Sequence, residues 1–333
     1  MPRLTNQQQR SFTGECWEMR NEMSYSHPKM PEEMTMGAPT LRVRSLDGVL
    51  EFYEDLLGLE KVLSKNQVKG GRPEEGFART VNGTADALID LRHDTGARDR
   101  PSNYTGLHRI SILVPDRRSL ALAYSSLANE GVRFDGLSDH LLGESLYVHD
   151  PEGNEIEIYC DRPRGEWYNT DGTLKIGTEP LGLEGLLGEL EAADVVRLRK
   201  YPATGALVNG AKIGHVHLRV AELERSTTFY HEELGLDISA DLSSVGAMFL
   251  SAGGYHRRVV LSIWDSAGGR RHESSELGLD SFKIEVPSNE LGRDFIQQLK
   301  SRLRDTMVED GDENHDVTVL DPDGIPVTIA MTP

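Results

Sequence analysis

The feature that most constrains this 333-residue chain is a unit of one strand, one helix and three further strands, which recurs four times. The clearest copy opens at Ile213-Gly214-His215-Val216-His217-Leu218-Arg219-Val220 and runs into a helix over 223–234 that contains Phe229-Tyr230. Side chains alternate faces along a strand, so His215 and His217 share one face while Val216 and Leu218 take the other. An earlier copy opens at Thr40-Leu41-Arg42-Val43 and has Val49, Leu50, Tyr53, Leu56 and Leu57 at helical spacing before Gly58. In that copy, Asn82-Gly83 signals a hairpin. The second copy has a strand over 107–114, a helix over 118–131, and the turn Asp150-Pro151-Glu152-Gly153-Asn154 leading into Glu155-Ile156-Glu157-Ile158-Tyr159. The fourth opens at Gly278, has a helix over 290–303, and closes through Asp321-Pro322-Asp323-Gly324 into Val327-Thr328-Ile329.

One such unit leaves a curved sheet with an exposed apolar face, so two must pack together to bury it. The expected fold is therefore α+β, with four βαβββ modules paired into two half-open barrels whose concave sides can hold a ligand. Residues 1–37 are polar, Met-rich and aperiodic, and read as an extension on the surface or without order. The remainder divides into 38–163 (modules one and two), a connector over 164–210 with a helix near 183–190, and 211–333 (modules three and four).

Composition narrows the partners. A formal charge of −18 repels phosphates, which argues against nucleic acid or an anionic membrane as partner. Cys16 and Cys160 are too few for a disulfide framework, and no apolar run reaches membrane-spanning length. The expected compartment is the cytoplasm. The sequence shows no glycine-rich phosphate loop, metal-binding cysteine pair or serine-nucleophile motif.

Phe52-Tyr53 and Phe229-Tyr230 before their Leu-Gly-Leu helix ends, with the two Asp-Pro-(Glu/Asp)-Gly turns, resemble the vicinal oxygen chelate superfamily of glyoxalases, bleomycin-resistance proteins and extradiol dioxygenases. More narrowly, the chain resembles the four-module CatE-like catechol 2,3-dioxygenases. That likeness rests on Gly106-Leu107-His108, Ser138-Asp139-His140, Ile156-Glu157-Ile158-Tyr159 with Asp161-Arg162-Pro163-Arg164, Gly214-His215-Val216-His217-Leu218, Gly253-Gly254-Tyr255-His256 and Trp264-Asp265-Ser266. The resemblance implies a small aromatic substrate, dioxygen as co-substrate, and one Fe(II) held by two histidines and a carboxylate. Another divalent metal, or none, is the alternative. Homo-oligomers are common among such barrels.

Carried over by position, the resemblance gives His215 and Glu157 as metal ligands. Arg109 stands where the second histidine is expected, and Ala38, Ser281 and Thr328 leave modules one and four poor in ligands, with Asp90 as the corresponding acid of module one. Pairing of module two with module three would bring His215 and Glu157 together; pairing in sequence order is the alternative. Arginine stays protonated and cannot ligate a metal. His217 could complete a His215–His217–Glu157 set or contact substrate, whereas His108 could do so only if its strand were bulged. Alternatively, Arg109 could pair with Glu157 in a metal-free pocket for an aromatic or acidic ligand. For proton transfer the candidates are His140 and His256, with Tyr255 contacting substrate. Arg257, where the family tends to have a further histidine, would join Arg109 in binding an acidic substrate.

Overall fold

A computed structural model of the chain describes residues 28–62, 68–69, 72–73, 77–81, 87–200, 207, 209–303, 307–310 and 316–332. Asn82-Gly83 lies outside the described residues, as does the extension before residue 28. Two nine-stranded sheets carry the fold, and neither is confined to one half of the sequence. One joins module two to module three through the antiparallel pairing of β1 (Gly106–Leu113) with β4 (Lys212–Arg219). The other joins module four to module one through Gly278–Val286 and Thr40–Val43. The stretches 38–163 and 211–333 therefore each give one module to each sheet.

In the site-bearing sheet, β2 (Gly143–His149) pairs antiparallel with β3 (Glu155–Asp161), which runs parallel to β1. On the far side β5 (Val259–Ser262) runs parallel to β4. The two central strands are near-continuous apolar runs on the face packed against helices, with Ile110, Ile112, Val216 and Leu218 excluded from solvent. Their other face carries the charged and imidazole side chains.

The recurring motifs acquire physical roles here. Tyr53 donates from its hydroxyl to Asp150 Oδ2 at 3.2 Å, and Tyr230 donates to Asp321 Oδ2 at 2.9 Å. Each Phe-Tyr helix end is thus tied to the Asp-Pro turn of the following module, which belongs to the other sheet. The turns close because Gly153 and Gly324 adopt left-handed φ values of 77° and 88°. Asp116 accepts from the Ser119 backbone N–H at 2.7 Å and so caps helix Arg117–Asn129; Asn289 caps Glu290–Arg302 through the Gly292 N–H.

One local expectation needs correction. Residues 28–37 are neither disordered nor merely on the surface: Met30, Met34 and Met36 are buried, Met30 N–H donates to Gly235 O at 2.9 Å, and Thr35–Met36 adds a strand beside Gly278–Val286. Methionine is flexible enough to fill the irregular seam between modules three and four. The connector carries the expected helix at Leu183–Leu187 and, among the described residues, a further α-helix at Ala192–Lys200. No helix among the described residues is long and apolar enough to cross a membrane.

Candidate active site

The face of β3 that looks into the barrel carries Glu155, Glu157, Tyr159 and Asp161 at alternate positions, each with its own partner. Glu157 is the centre. Its Oε2 accepts from Ser111 Oγ at 2.7 Å and lies 3.2 Å from His215 Nε2. Its Oε1 accepts from Ser145 Oγ at 2.7 Å, from the Tyr147 hydroxyl at 3.2 Å and from Arg257 Nη2 at 3.5 Å. Ser111 reaches the carboxylate because β1 pairs it with Glu157 on one side and with His215 on the other.

Burial alone would push the Glu157 carboxyl up, but the facing His215 and the guanidiniums of Arg257 and Arg109 outweigh it and hold it well below its usual range. A carboxylate ringed by hydrogen-bond donors keeps its charge even out of water. His215 goes the other way: burial and then Arg257 lower it to about 3, so it is neutral at physiological pH.

Of the residues singled out in the sequence, the structure brings His215, Glu157 and Arg257 into contact. Arg109 does not contact Glu157 as that pairing supposed. Its Nε lies 3.0 Å from Glu155 Oε1, its guanidinium covers the Tyr147 ring at 4.8 Å, and its Nη2 lies 2.7 Å from His108 Nε2. The register explains the difference, because Arg109 pairs with Glu155 one pleat along β3 from Glu157. Arg257 is the cation at Glu157. His217 shares the face of His215, but its Nε2 is 2.9 Å from Ser262 Oγ.

His108 joins the inner face through a bulge. Partners run His217 to Arg109 and then Leu218 to Leu107, leaving His108 as the extra residue of β1. Its ring lies against that of His217, with centroids 4.3 Å apart and the planes tilted by 38°. A second irregularity leaves Gly214 as the extra residue of β4, and a side chain there would meet the Tyr159 hydroxyl at 1.9 Å.

His140 Nε2 lies 2.6 Å from the Tyr147 hydroxyl, which donates in turn to Glu157, so His140 reaches the centre through one phenol. Burial lowers His140 to about 4. His256 donates from Nε2 to Asp161 Oδ1 at 2.8 Å, and the Tyr255 hydroxyl bonds Asp161 Oδ2 at 2.9 Å. Tyr255 also lies 2.9 Å from the Tyr159 hydroxyl. Trp167 packs edge-on against His256 at 4.6 Å. Burial lowers His256 as well, and its Nδ1 is buried with no partner. This leaves a neutral imidazole oriented by a carboxylate, with an unused ring nitrogen suited to accepting a proton.

Sequence reasoning missed Asp161, Ser111, Ser145 and Tyr147. The period-two continuation from Glu157 through Tyr159 would have flagged Asp161. The serines and Tyr147 meet Glu157 only through strand register, which leaves no local signal.

Against known proteins, the family model described as Glyoxalase/Bleomycin resistance protein/Dioxygenase superfamily matches residues 35–158 and 212–329. A catechol-2,3-dioxygenase of Bacillus subtilis (strain 168) is 34% identical over 264 residues, covering 78% of this chain and 85% of that protein. Among solved structures, a Bacillus subtilis protein provisionally called a dioxygenase superposes with a TM-score of 0.58 at 17% identity, covering 92% of this chain and 86% of that one. A glyoxalase I variant from Zea mays gives 0.54 at 16% identity, covering 90% and 94%. At such identities the superpositions speak for the fold alone.

Proposed function

This chain belongs to the glyoxalase/bleomycin resistance protein/dioxygenase superfamily and is homologous to a catechol-2,3-dioxygenase, and from that premise we propose that the barrel of modules two and three binds a small aromatic molecule of the catechol class without iron. The observation that carries this reading is the Arg257 guanidinium set against Glu157, with Arg109 in the position of the second histidine.

Iron does not fit the residues as they stand. A facial triad needs two neutral nitrogens and a carboxylate with a free oxygen lone pair aimed at one point. Here the two Glu157 oxygens are shared among Ser111, Ser145, Tyr147, Arg257 and His215. The position that would supply the second nitrogen holds a cation, and His217 Nε2 faces Ser262. A divalent ion would add charge beside two guanidiniums, which Coulomb repulsion in a buried site opposes. The chain's own groups suit binding: neutral His215, His217 and His256 can exchange hydrogen bonds with phenolic hydroxyls, and Tyr159 and Phe249 lie against the Arg257 guanidinium at 5.5 and 5.9 Å.

Ring cleavage with iron and dioxygen is the second reading. It is favoured by the 34% identity to the catechol-2,3-dioxygenase and by the His215–Glu157 separation of 3.2 Å. Two ligands about 2.1 Å from one ion at right angles stand about 3 Å apart. The third ligand would then be His217 or His108.

Anaerobic reconstitution with ferrous iron, followed by elemental analysis and a catechol titration, separates the two. The wild type is expected to bind catechol and retain no stoichiometric iron, while Arg109→His gains iron affinity. Near-stoichiometric iron in the wild type that disappears in Glu157→Ala would overturn the metal-free reading and establish the second.

A further inference from the structure

At the open end of the same barrel, His108 is placed between two arginines. Its Nε2 lies 2.7 Å from Arg109 Nη2 and its Nδ1 lies 3.2 Å from Arg219 Nε. A guanidinium offers only N–H donors, and a neutral imidazole has one nitrogen that accepts and one that carries hydrogen. In either tautomer one contact sets N–H against N–H. Protonating His108 would make both contacts unfavourable. The cluster is short of one acceptor.

The two arginines are not equivalent. Arg109 is paired with Glu155, and its Nε–Oε1 distance is 3.0 Å. Among the described residues Arg219 forms no ion pair; besides His108, it has the Tyr104 ring at 5.2 Å. Arg219 is half-buried, so its charge is not fully hydrated, and the carboxylate that acts on it, Glu155, is already ion-paired with Arg109. Beside this donor-rich end stands Trp264, with its ring 5.8 Å from His108 and 5.3 Å from His217. Trp264 Nε1 donates to Val245 O at 2.8 Å, which fixes the ring, yet 37% of the residue remains exposed. A fixed, part-exposed indole is a surface on which another ring can lie.

We infer that the His108–Arg109–Arg219 cluster beside Trp264 is a carboxylate-recognition subsite, so that the ligand of this barrel is an aromatic carboxylate. The inference rests on the ligand-binding reading above and names its ligand class. A carboxylate supplies the missing acceptor, takes two parallel hydrogen bonds from the edge of Arg219, and balances a guanidinium that has no ion pair among the described residues. Its ring meets Trp264 and reaches toward His217 and His215. A neutral catechol fills the inner part but leaves the conflict at His108 unresolved.

Calorimetric titration of the full chain with catechol, 2,3-dihydroxybenzoate and benzoate tests this, using the wild type, Arg219→Gln and Arg219→Lys. The carboxylated catechol is expected to bind at least about tenfold more tightly than catechol in the wild type. The ratio should fall to about one in Arg219→Gln and to an intermediate value in Arg219→Lys, which keeps the charge but loses the fork. Benzoate tests the subsite alone: Arg219-dependent benzoate binding without catechol binding would uphold the subsite and refute the catechol-class ligand. Equal affinities for catechol and its carboxylate, a ratio unchanged by Arg219→Gln, or no binding of either carboxylate would overturn the inference.

Discussion

The contact between Arg257 and Glu157 pairs a buried guanidinium with a buried carboxylate, so its removal is an informative perturbation. Both side chains are almost wholly excluded from water, and their charged atoms are 3.5 Å apart. At an effective dielectric of about 20, Coulomb's law gives about 5 kcal/mol of attraction across 3.5 Å. Desolvation of the two ions has already consumed much of that gain, so the intact pair contributes little net stability. Removing one partner is a different matter. Arg257→Met keeps the apolar stem but leaves the carboxylate with the Ser111, Ser145 and Tyr147 hydroxyls, neutral His215 and the more distant Arg109 guanidinium. The expected loss is about 3–5 kcal/mol, which calorimetry would read as a drop of roughly 6–10 °C at about 2 °C per kcal/mol for a chain of this size. The double variant Arg257→Met/Glu157→Gln removes the stranded charge and should be destabilised by at least about 1 kcal/mol less than the sum of its single variants. Strict additivity, or an Arg257→Met variant within about 1 kcal/mol of wild type, would refute the reasoning that Arg257 serves as the counter-ion of Glu157.

Two further predictions concern other parts of the fold. Burial raises the Asp321 carboxyl from 3.8 to about 7, against the backbone N–H donors of Ile325 and Asp323 and the Tyr230 hydroxyl that favour its ionised form. A folded pKa above the unfolded one means that stability is fullest below about pH 4 and is lost as pH rises through 7; between pH 5 and 8 the loss is about 3 kcal/mol. Melting curves at those two pH values should show Asp321→Asn gaining on the wild type by that amount, and an unchanged gap would contradict it. Gly214→Ala would drive a methyl group into the Tyr159 hydroxyl and displace it from Tyr255. The expected cost is about 3 kcal/mol, at the upper end for overpacking, and a melting temperature within about 1 °C of wild type would contradict it.

What the sequence determined was everything governed by local periodicity. Alternation in 213–220 placed His215 and His217 on one face, and the position-by-position resemblance singled out Glu157 on the last strand of module two. The repeated Phe-Tyr and Asp-Pro-x-Gly signals marked four modules, because a turn and a helix end each need particular residues within a few positions. Arg109, where a second histidine is expected, with Ala38, Ser281 and Thr328 at the other ligand positions, also marked the departure from a metal-binding set in the sequence itself. The tertiary structure alone decided which cation meets Glu157, since the sequence offered Arg109 for that role, whereas the structure brings Arg257 there from the loop before Val259–Ser262, in another module. It alone also placed His108 beside His217, because a bulge adds one residue to a strand and breaks the period-two rule on which the reading depended. Register between distant strands and the position of a bulge are settled by the packing of both sheet faces at once. No window of the sequence contains that information.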